Sequence, residues 1–134
     1  MIKSRYTKRI FVDSEGEYLK RNLKANRITF TTDIARSIQD NDIIFIAVGT
    51  PSDNDGSADL SAVLDVAHEI SKNIDRYKTI VIKSTVPVGT NKIIRELIIN
   101  ESGFEDFDVV SNPEFLREGK AIQDFTKPDR VVVG

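Results

Sequence analysis

The sequence predicts an α/β fold built on a parallel sheet, and three observations carry that prediction. The run Ile43-Ile44-Phe45-Ile46-Ala47-Val48 has strand length, is rich in β-branched and aromatic residues and shows no polar alternation. Strands covered on both faces of a parallel sheet have this character. The same grammar returns at Thr79-Ile80-Val81-Ile82-Lys83 and at Phe107-Asp108-Val109-Val110. Segments with apolar residues at helical spacing separate the three runs, in the order that right-handed crossovers require. Each run also ends in a polar turn: Gly49-Thr50-Pro51, then Ser84 to Thr90, then Ser111-Asn112-Pro113-Glu114-Phe115. Ligands bind outside the carboxyl ends of strands in open parallel sheets, so three such ends point to one ligand crevice.

Length and composition bound the rest. With 134 residues, 40% hydrophobic and 30% charged, the chain is long enough for one folded domain with a core. A net charge of −2 gives no basic footprint for nucleic acid and no polybasic patch for a membrane surface. No apolar run is long enough to span a bilayer. Met1-Ile2-Lys3-Ser4-Arg5 lacks the apolar core of a signal peptide, and the chain has no cysteine for disulfides or thiolate metal sites. The expected compartment is the cytoplasm.

Taken in order, Met1 to Lys8 is basic and polar, and Arg9-Ile10-Phe11-Val12 is a short strand candidate. Ser14-Glu15-Gly16 opens a predicted helix through Tyr18, Leu19 and Leu23 that ends near Asn26. Ile28-Thr29-Phe30-Thr31 alternates as an edge strand does. Asp33 is placed to cap a short helix over Ile34, Ala35 and Ile38. Ser52 to Ser57 is a polar loop. Read as a calcium loop it fails, because with Gly56 at the turn, Pro51 falls at the first ligand position and Ala62 at the bidentate one. Asp59 is expected to cap the next helix, whose apolar positions are Leu60, Val63, Leu64, Ala67, Ile70 and Ile74. His68 falls among its polar residues and reads as solvated surface. Thr90 is expected to cap a helix over Ile93, Ile94, Leu97 and Ile98, with Gly103 as its stop. A last helical stretch runs through Glu118, Ala121 and Ile122. Lys127-Pro128-Asp129 breaks it, and Arg130-Val131-Val132-Val133 reads as a final strand.

The strand ends hold the candidate site residues. Gly49 permits close approach of a ligand to the backbone, and Pro51 and Pro87 stop the strands from continuing. Ser84, Thr85 and Thr90 bring hydroxyls beside a helix start. Glu114 follows a proline directly after a strand and is flanked by Phe115 and Leu116; apolar walls there would raise its pKa and suit it to acid/base work. Glu118 would share its face if the segment is helical.

Together these stretches carry a family likeness. Ile44 to Pro51 followed by Asp55-Gly56-Ser57-Ala58-Asp59-Leu60, Lys83 to Thr90, Ser111 to Gly119, and Pro128 to Gly134 resemble the UDP-glucose/GDP-mannose dehydrogenase family, in order and at natural spacings. The likeness runs from about Gly16 to the end of residues 1–134, with 1–15 divergent. It implies a Rossmann-like, doubly wound parallel sheet lacking the first strand-helix-strand unit: a partial NAD-binding domain. It further implies NAD-dependent oxidation of a nucleotide sugar at its primary alcohol, with UDP-glucose the leading substrate and GDP-mannose or UDP-N-acetylmannosamine the alternatives. By the same likeness Val48, Gly49, Thr50, Pro51, Ser84, Thr85 and Glu118 line the cofactor. Thr85 and Glu114 are catalytic, with Glu114 the general base of thioester hydrolysis, and Phe115, Leu116 and Glu118 border the substrate.

The departures from the family pattern set limits. The glycine-rich Gly-x-Gly-x-x-Gly turn and the acidic residue that binds the adenosine ribose are missing, as are the catalytic lysine, asparagine and cysteine of the later part. The isolated chain is therefore expected to be incomplete for catalysis, and a non-catalytic nucleotide-binding or assembly remnant is the alternative. The missing first strands would leave one edge of Ile43-Val48 bare. The expectation is that Arg9-Val12 fills part of the gap, that the edge self-associates with another chain, or that the N-terminal part detaches from the sheet.

Overall fold

The computed structural model describes residues 13–52, 56–117 and 119–134. Its elements are α1 (Asp13–Lys24), α2 (Ile34–Asp40), β1 (Ile43–Ile46), α3 (Ser61–Asn73), β2 (Lys78–Ile82), α4 (Thr90–Ser102), β3 (Phe107–Ser111) and α5 (Ala121–Thr126). They fall into two compact units, Thr32–Phe115 with Asp129–Gly134, and Met1–Thr31 with Leu116–Pro128. Among the described residues no helix is long and apolar enough to cross a membrane.

The larger unit contains the predicted parallel sheet, in the order β1-β2-β3. Ile44 pairs with Ile80 and Ile80 with Val109, while Ile46, Ile82 and Ser111 lie level at the carboxyl ends. One face carries the core: Ile46, Ile80, Ile82 and Phe107 pack with Ile38 of α2, Val63, Ala67 and Ile70 of α3, and Ile94 and Ile98 of α4. Burial of these apolar faces is the main force holding the layers. β2 lies between its neighbours and is covered along its length, as expected. β1 is not: Ile43 and Phe45 are 58% and 59% exposed, because they face away from the helix layer on an edge strand.

Local signals explain the helix ends. Asp33 accepts a hydrogen bond from Arg36 N at 3.0 Å, so α2 is capped where the sequence places the cap. Gly103 adopts φ +69° and its N–H donates to Ile99 O, closing α4. Asp59 works one residue outside the expected position, accepting from Ser61 N at 2.9 Å while Leu60 holds the cap site. Thr90 does not cap α4. It is its first residue, and its buried hydroxyl donates to Pro87 O at 2.8 Å while left-handed Gly89 precedes it.

Two expected strands are absent. Residues 28–31 are irregular, with Phe30 73% exposed, and residues 130–133 form no strand either, although Ser111 and Gly134 exchange two backbone hydrogen bonds. Alternation alone does not make a strand without a neighbour to pair with. The candidate at Arg9-Val12 lies outside the described residues, as do Asp53-Asn54-Asp55 and Glu118.

In the smaller unit, α1 spans the predicted helix closely, and Asn26 at φ 54° ends the turn after it. The last helix is shorter than expected, starting at Ala121. Arg117 clasps Asp124 through both its backbone N–H and its guanidinium. Those hydrogen bonds lower the Asp124 pKa to about 2.

His68 is not simple solvated surface. Its Nδ1 lies 2.6 Å from Glu101 Oε1, and Ser71 Oγ donates to Glu101 Oε2 at 2.5 Å, so α3 and α4 are tied through one carboxylate. The Ser71 hydroxyl first, and His68 second, hold the Glu101 pKa below its ordinary value. A carboxyl with a depressed folded pKa contributes stability above its unfolded pKa and loses it as pH falls through the folded one. Unfolding free energy should therefore decline as pH drops below about 4.5, the ordinary glutamate value. Glu101→Gln should flatten that decline, as urea titrations at successive pH values would show.

Candidate functional site

The carboxyl ends of the three strands meet at one rim of the larger unit, and a specific set of hydrogen bonds makes it one structure. Lys83 N and Ser84 N both donate to Ile46 O, at 2.8 and 3.2 Å, carrying the β1–β2 ladder past the last paired residues. Ser84, almost fully buried, donates its hydroxyl to Val48 O at 2.7 Å. Thr50 Oγ1 donates to Thr85 O at 2.8 Å. The Gly-Thr-Pro turn and the Ser-Thr turn are thereby locked side by side, and Asp59 N closes the turn's far end by donating to Pro51 O at 2.8 Å.

A second clamp joins β2 to the Ser111–Phe115 loop. Asn112 N donates to Ile82 O at 2.9 Å, and Lys83 Nζ donates to Asn112 Oδ1 at 3.1 Å. Asn112 Nδ2 donates onward to Val132 O at 2.8 Å. On the helix side Ser111 Oγ donates to Asn91 Oδ1 at 2.8 Å. The loop that carries Glu114 is thus fixed at its root on both sides. Lys83 was not singled out by its spacing; only its place at the end of an apolar run hinted at it.

The rim brings Val48, Gly49, Thr50, Pro51, Ser84 and Thr85 together, as the strand-end argument requires. Glu114 belongs to the same rim, but the apolar walls expected around it are not built. Glu114 is exposed, and Phe115 is 50% exposed with the Arg130 guanidinium 4.9 Å from its ring centre. Residues 112–117 are not helical, and Glu118, expected to share a helix face with Glu114, lies outside the described residues. Leu116 falls in the smaller unit.

The Thr50 and Ser84 hydroxyls are spent on shaping the loops, and the surface they shape is open at Gly49, where an added Cβ would meet no heavy atom within 4 Å. Bare backbone at a strand's carboxyl end is what flat rings and phosphates approach in such folds. Among the described residues no three His, Asp or Glu side chains gather as a metal site.

A parallel sheet with helical crossovers and a glycine-opened rim at its carboxyl ends defines a Rossmann-like dinucleotide-binding domain. The family model for the NAD-binding domain of the UDP-glucose/GDP-mannose dehydrogenases matches residues 7–134, and the chain belongs to that family. The cofactor of this domain is NAD. The UDP-glucose 6-dehydrogenase of Rhizobium meliloti is 46% identical over 126 residues, which cover 93% of this chain and 29% of that protein. TuaD, the UDP-glucose 6-dehydrogenase of Bacillus subtilis, is 47% identical, again over 93% of this chain and 27% of its own. The GDP-mannose dehydrogenase structure from Pseudomonas aeruginosa superposes with a TM-score of 0.87 at 37% identity, over 93% of this chain and 30% of that one. The chain thus spans less than a third of the length of these relatives.

Proposed function

We propose that this chain is the NAD-binding portion of a UDP-glucose 6-dehydrogenase, serving oxidation of the sugar's primary alcohol to the carboxylate of UDP-glucuronate. The observation that supports this reading best is the locking of Gly49-Thr50-Pro51 onto Ser84-Thr85 through two hydroxyls, on the rim that also bears Glu114. Relatives named for UDP-glucose, at 46% and 47% identity, favour that sugar nucleotide over GDP-mannose or UDP-N-acetylmannosamine.

In this reading Val48, Gly49, Thr50, Pro51, Ser84 and Thr85 line the cofactor, which supplies the hydride acceptor when bound. Thr85 has its carbonyl held by Thr50, which steadies the backbone that presents its hydroxyl to the nicotinamide end and to an active-site water. Glu114, exposed on a loop rooted by Asn112, takes the proton from the water that hydrolyses the thioester. Phe115 borders the sugar nucleotide. Leu116 and Glu118 hold their substrate- and cofactor-side roles by likeness of sequence alone.

The chain contains no cysteine, so the sulfur that forms the thioester comes from another polypeptide segment. That observation favours a second reading for the chain by itself, a nucleotide-binding or assembly module without chemistry. Calorimetric titration with NAD and an assay for NADH formation with UDP-glucose separate the cases. The expected result is saturable NAD binding without turnover by this chain alone, and turnover once a segment bearing the cysteine is added. No binding at millimolar NAD would sink the cofactor assignment, and turnover by the chain alone would overturn its incompleteness.

A further inference from the structure

Lys83 follows β2 as a half-buried cation, and its ammonium donates to a side-chain amide, Asn112 Oδ1, at 3.1 Å. The other end of that amide, Nδ2, donates to Val132 O at 2.8 Å. An ammonium can only donate and a carbonyl can only accept, so the two partners hold the amide one way round. The Asn112 backbone is held as well, its N–H donating to Ile82 O at 2.9 Å. A single residue, Pro113, separates Asn112 from Glu114. A proline ring fixes its own φ and confines the residue before it to extended backbone, so few free torsions lie between the locked amide and Glu114. The far side of Glu114 is tied to the same neighbour. Ser111 and Gly134 exchange backbone hydrogen bonds at 2.6 and 3.0 Å, and the Arg130 guanidinium lies 4.9 Å from the centre of the Phe115 ring. Residues 134, 132 and 130 thus meet 111, 112 and 115 in turn. The two segments run in opposite directions, and Glu114 is bracketed between contacts at Asn112 and Phe115.

We infer that Lys83 is a positioning residue for Glu114, acting through the Asn112 amide, which it locks onto the segment 130–134. The inference rests on the proposed role of Glu114 as the base of thioester hydrolysis. In that step the oxygen of a water bonds to the thioester carbon, the water's proton passes to Glu114, and the carbon–sulfur bond breaks with the thiolate leaving. No electrons are exchanged with the cofactor. Misplacing a reacting group by an ångström costs about a hundredfold in rate, so a base carried on a loop needs its root held. Lys83 supplies that hold without touching substrate. The hydride steps, which precede hydrolysis and do not use Glu114, are independent of the lock.

Two variants test this. Lys83→Met keeps the stem and removes the donor, while Asn112→Leu keeps the volume and removes both side-chain hydrogen bonds. In the chain alone, the Asn112 side-chain amide protons should exchange with solvent at least about tenfold faster in Lys83→Met than in the parent. NMR order parameters of the Glu114 and Phe115 amides should fall from about 0.85 toward 0.6. NAD affinity should stay within about twofold, because the Val48–Pro51 and Ser84-Thr85 turns keep their own hydrogen bonds. With the cysteine-bearing segment added, NADH forms before hydrolysis. Either variant should therefore give a rapid burst of NADH of parental size, then steady turnover at least about tenfold slower. Because Lys83 acts through Asn112, the double variant should be no slower than Asn112→Leu. Unchanged order at Glu114 in Lys83→Met, a burst that shrinks along with the steady rate, or additive losses in the double variant would each overturn the inference. A parent that never turns over with the added segment would instead bring down the proposed function, and the NMR measurements would then decide by themselves whether the lock holds the loop.

Discussion

Lys78→Ala should destabilise the chain by about 3 kcal/mol, because it removes a buried side-chain stem together with a charged donor to backbone carbonyls. Lys78 opens β2 with its side chain fully buried. Its ammonium donates to Asn41 O at 2.9 Å and lies 3.2 Å from Asp75 Oδ1, with Gln39 O at 3.4 Å. One cation thus serves the carbonyls at the end of α2 and the acid that follows α3. It also lies level with Phe107 in the sheet, so its stem fills the bottom of the core. Alanine removes both the stem and the charge. Lys78→Met keeps the stem and removes only the donor to Asn41 O and one of the two cations beside Asp75, which keeps Arg76, so it should cost roughly half as much. Domains of this size hold about 5–15 kcal/mol in reserve, so the alanine variant should melt more than 10 °C lower. Urea and thermal unfolding of both variants would check the order; an alanine variant within about 0.5 kcal/mol of the parent would show that the cluster contributes nothing net.

Lys78 also marks where sequence reasoning stops. Its partners lie far from it along the chain, and no local pattern distinguishes a lysine that begins a strand inside the core from one that begins it in water. The same holds for His68 and Glu101, whose contact depends on how α3 crosses α4. What was legible is what local patterning decides. Apolar periodicity located β2, β3, α3 and α4, the Asp33 side chain announced the start of α2, and Gly103 announced the end of α4. The strand readings at Ile28-Thr31 and Arg130-Val133 failed because a strand is defined by its neighbour, and alternation in one segment says nothing of whether a neighbour is there. At the rim, the sequence grouped Thr50, Ser84 and Thr85 correctly, since parallel strands must end side by side. It misjudged the surroundings of Glu114, because apolar flanking residues can turn outward, as Phe115 does toward Arg130.

Gly49→Leu should separate cofactor binding from stability, weakening NAD at least tenfold, or about 1.4 kcal/mol, while the unfolding free energy stays within about 0.5 kcal/mol of the parent. Four other glycines of this chain, including Gly89 at φ +94° and Gly103 at φ +69°, stand in the left-handed region, where a larger residue is strained. Gly49 does not, and space around its would-be Cβ is empty, so a leucine there is tolerated by the fold. The same empty space is what the cofactor assignment needs. Gly49 links the end of β1 to Thr50, whose hydroxyl holds the neighbouring Ser-Thr turn, and a branched side chain at this point would stand over the backbone that a dinucleotide approaches. Under the proposed cofactor placement, stability and affinity therefore respond differently here: the fold does not use the volume and the ligand would. Calorimetric titration with NAD alongside urea unfolding of the same preparation reads both quantities. Unchanged affinity in a folded Gly49→Leu chain would move the cofactor off the Val48–Pro51 turn, and with it the reason for bringing Thr50 and Thr85 together.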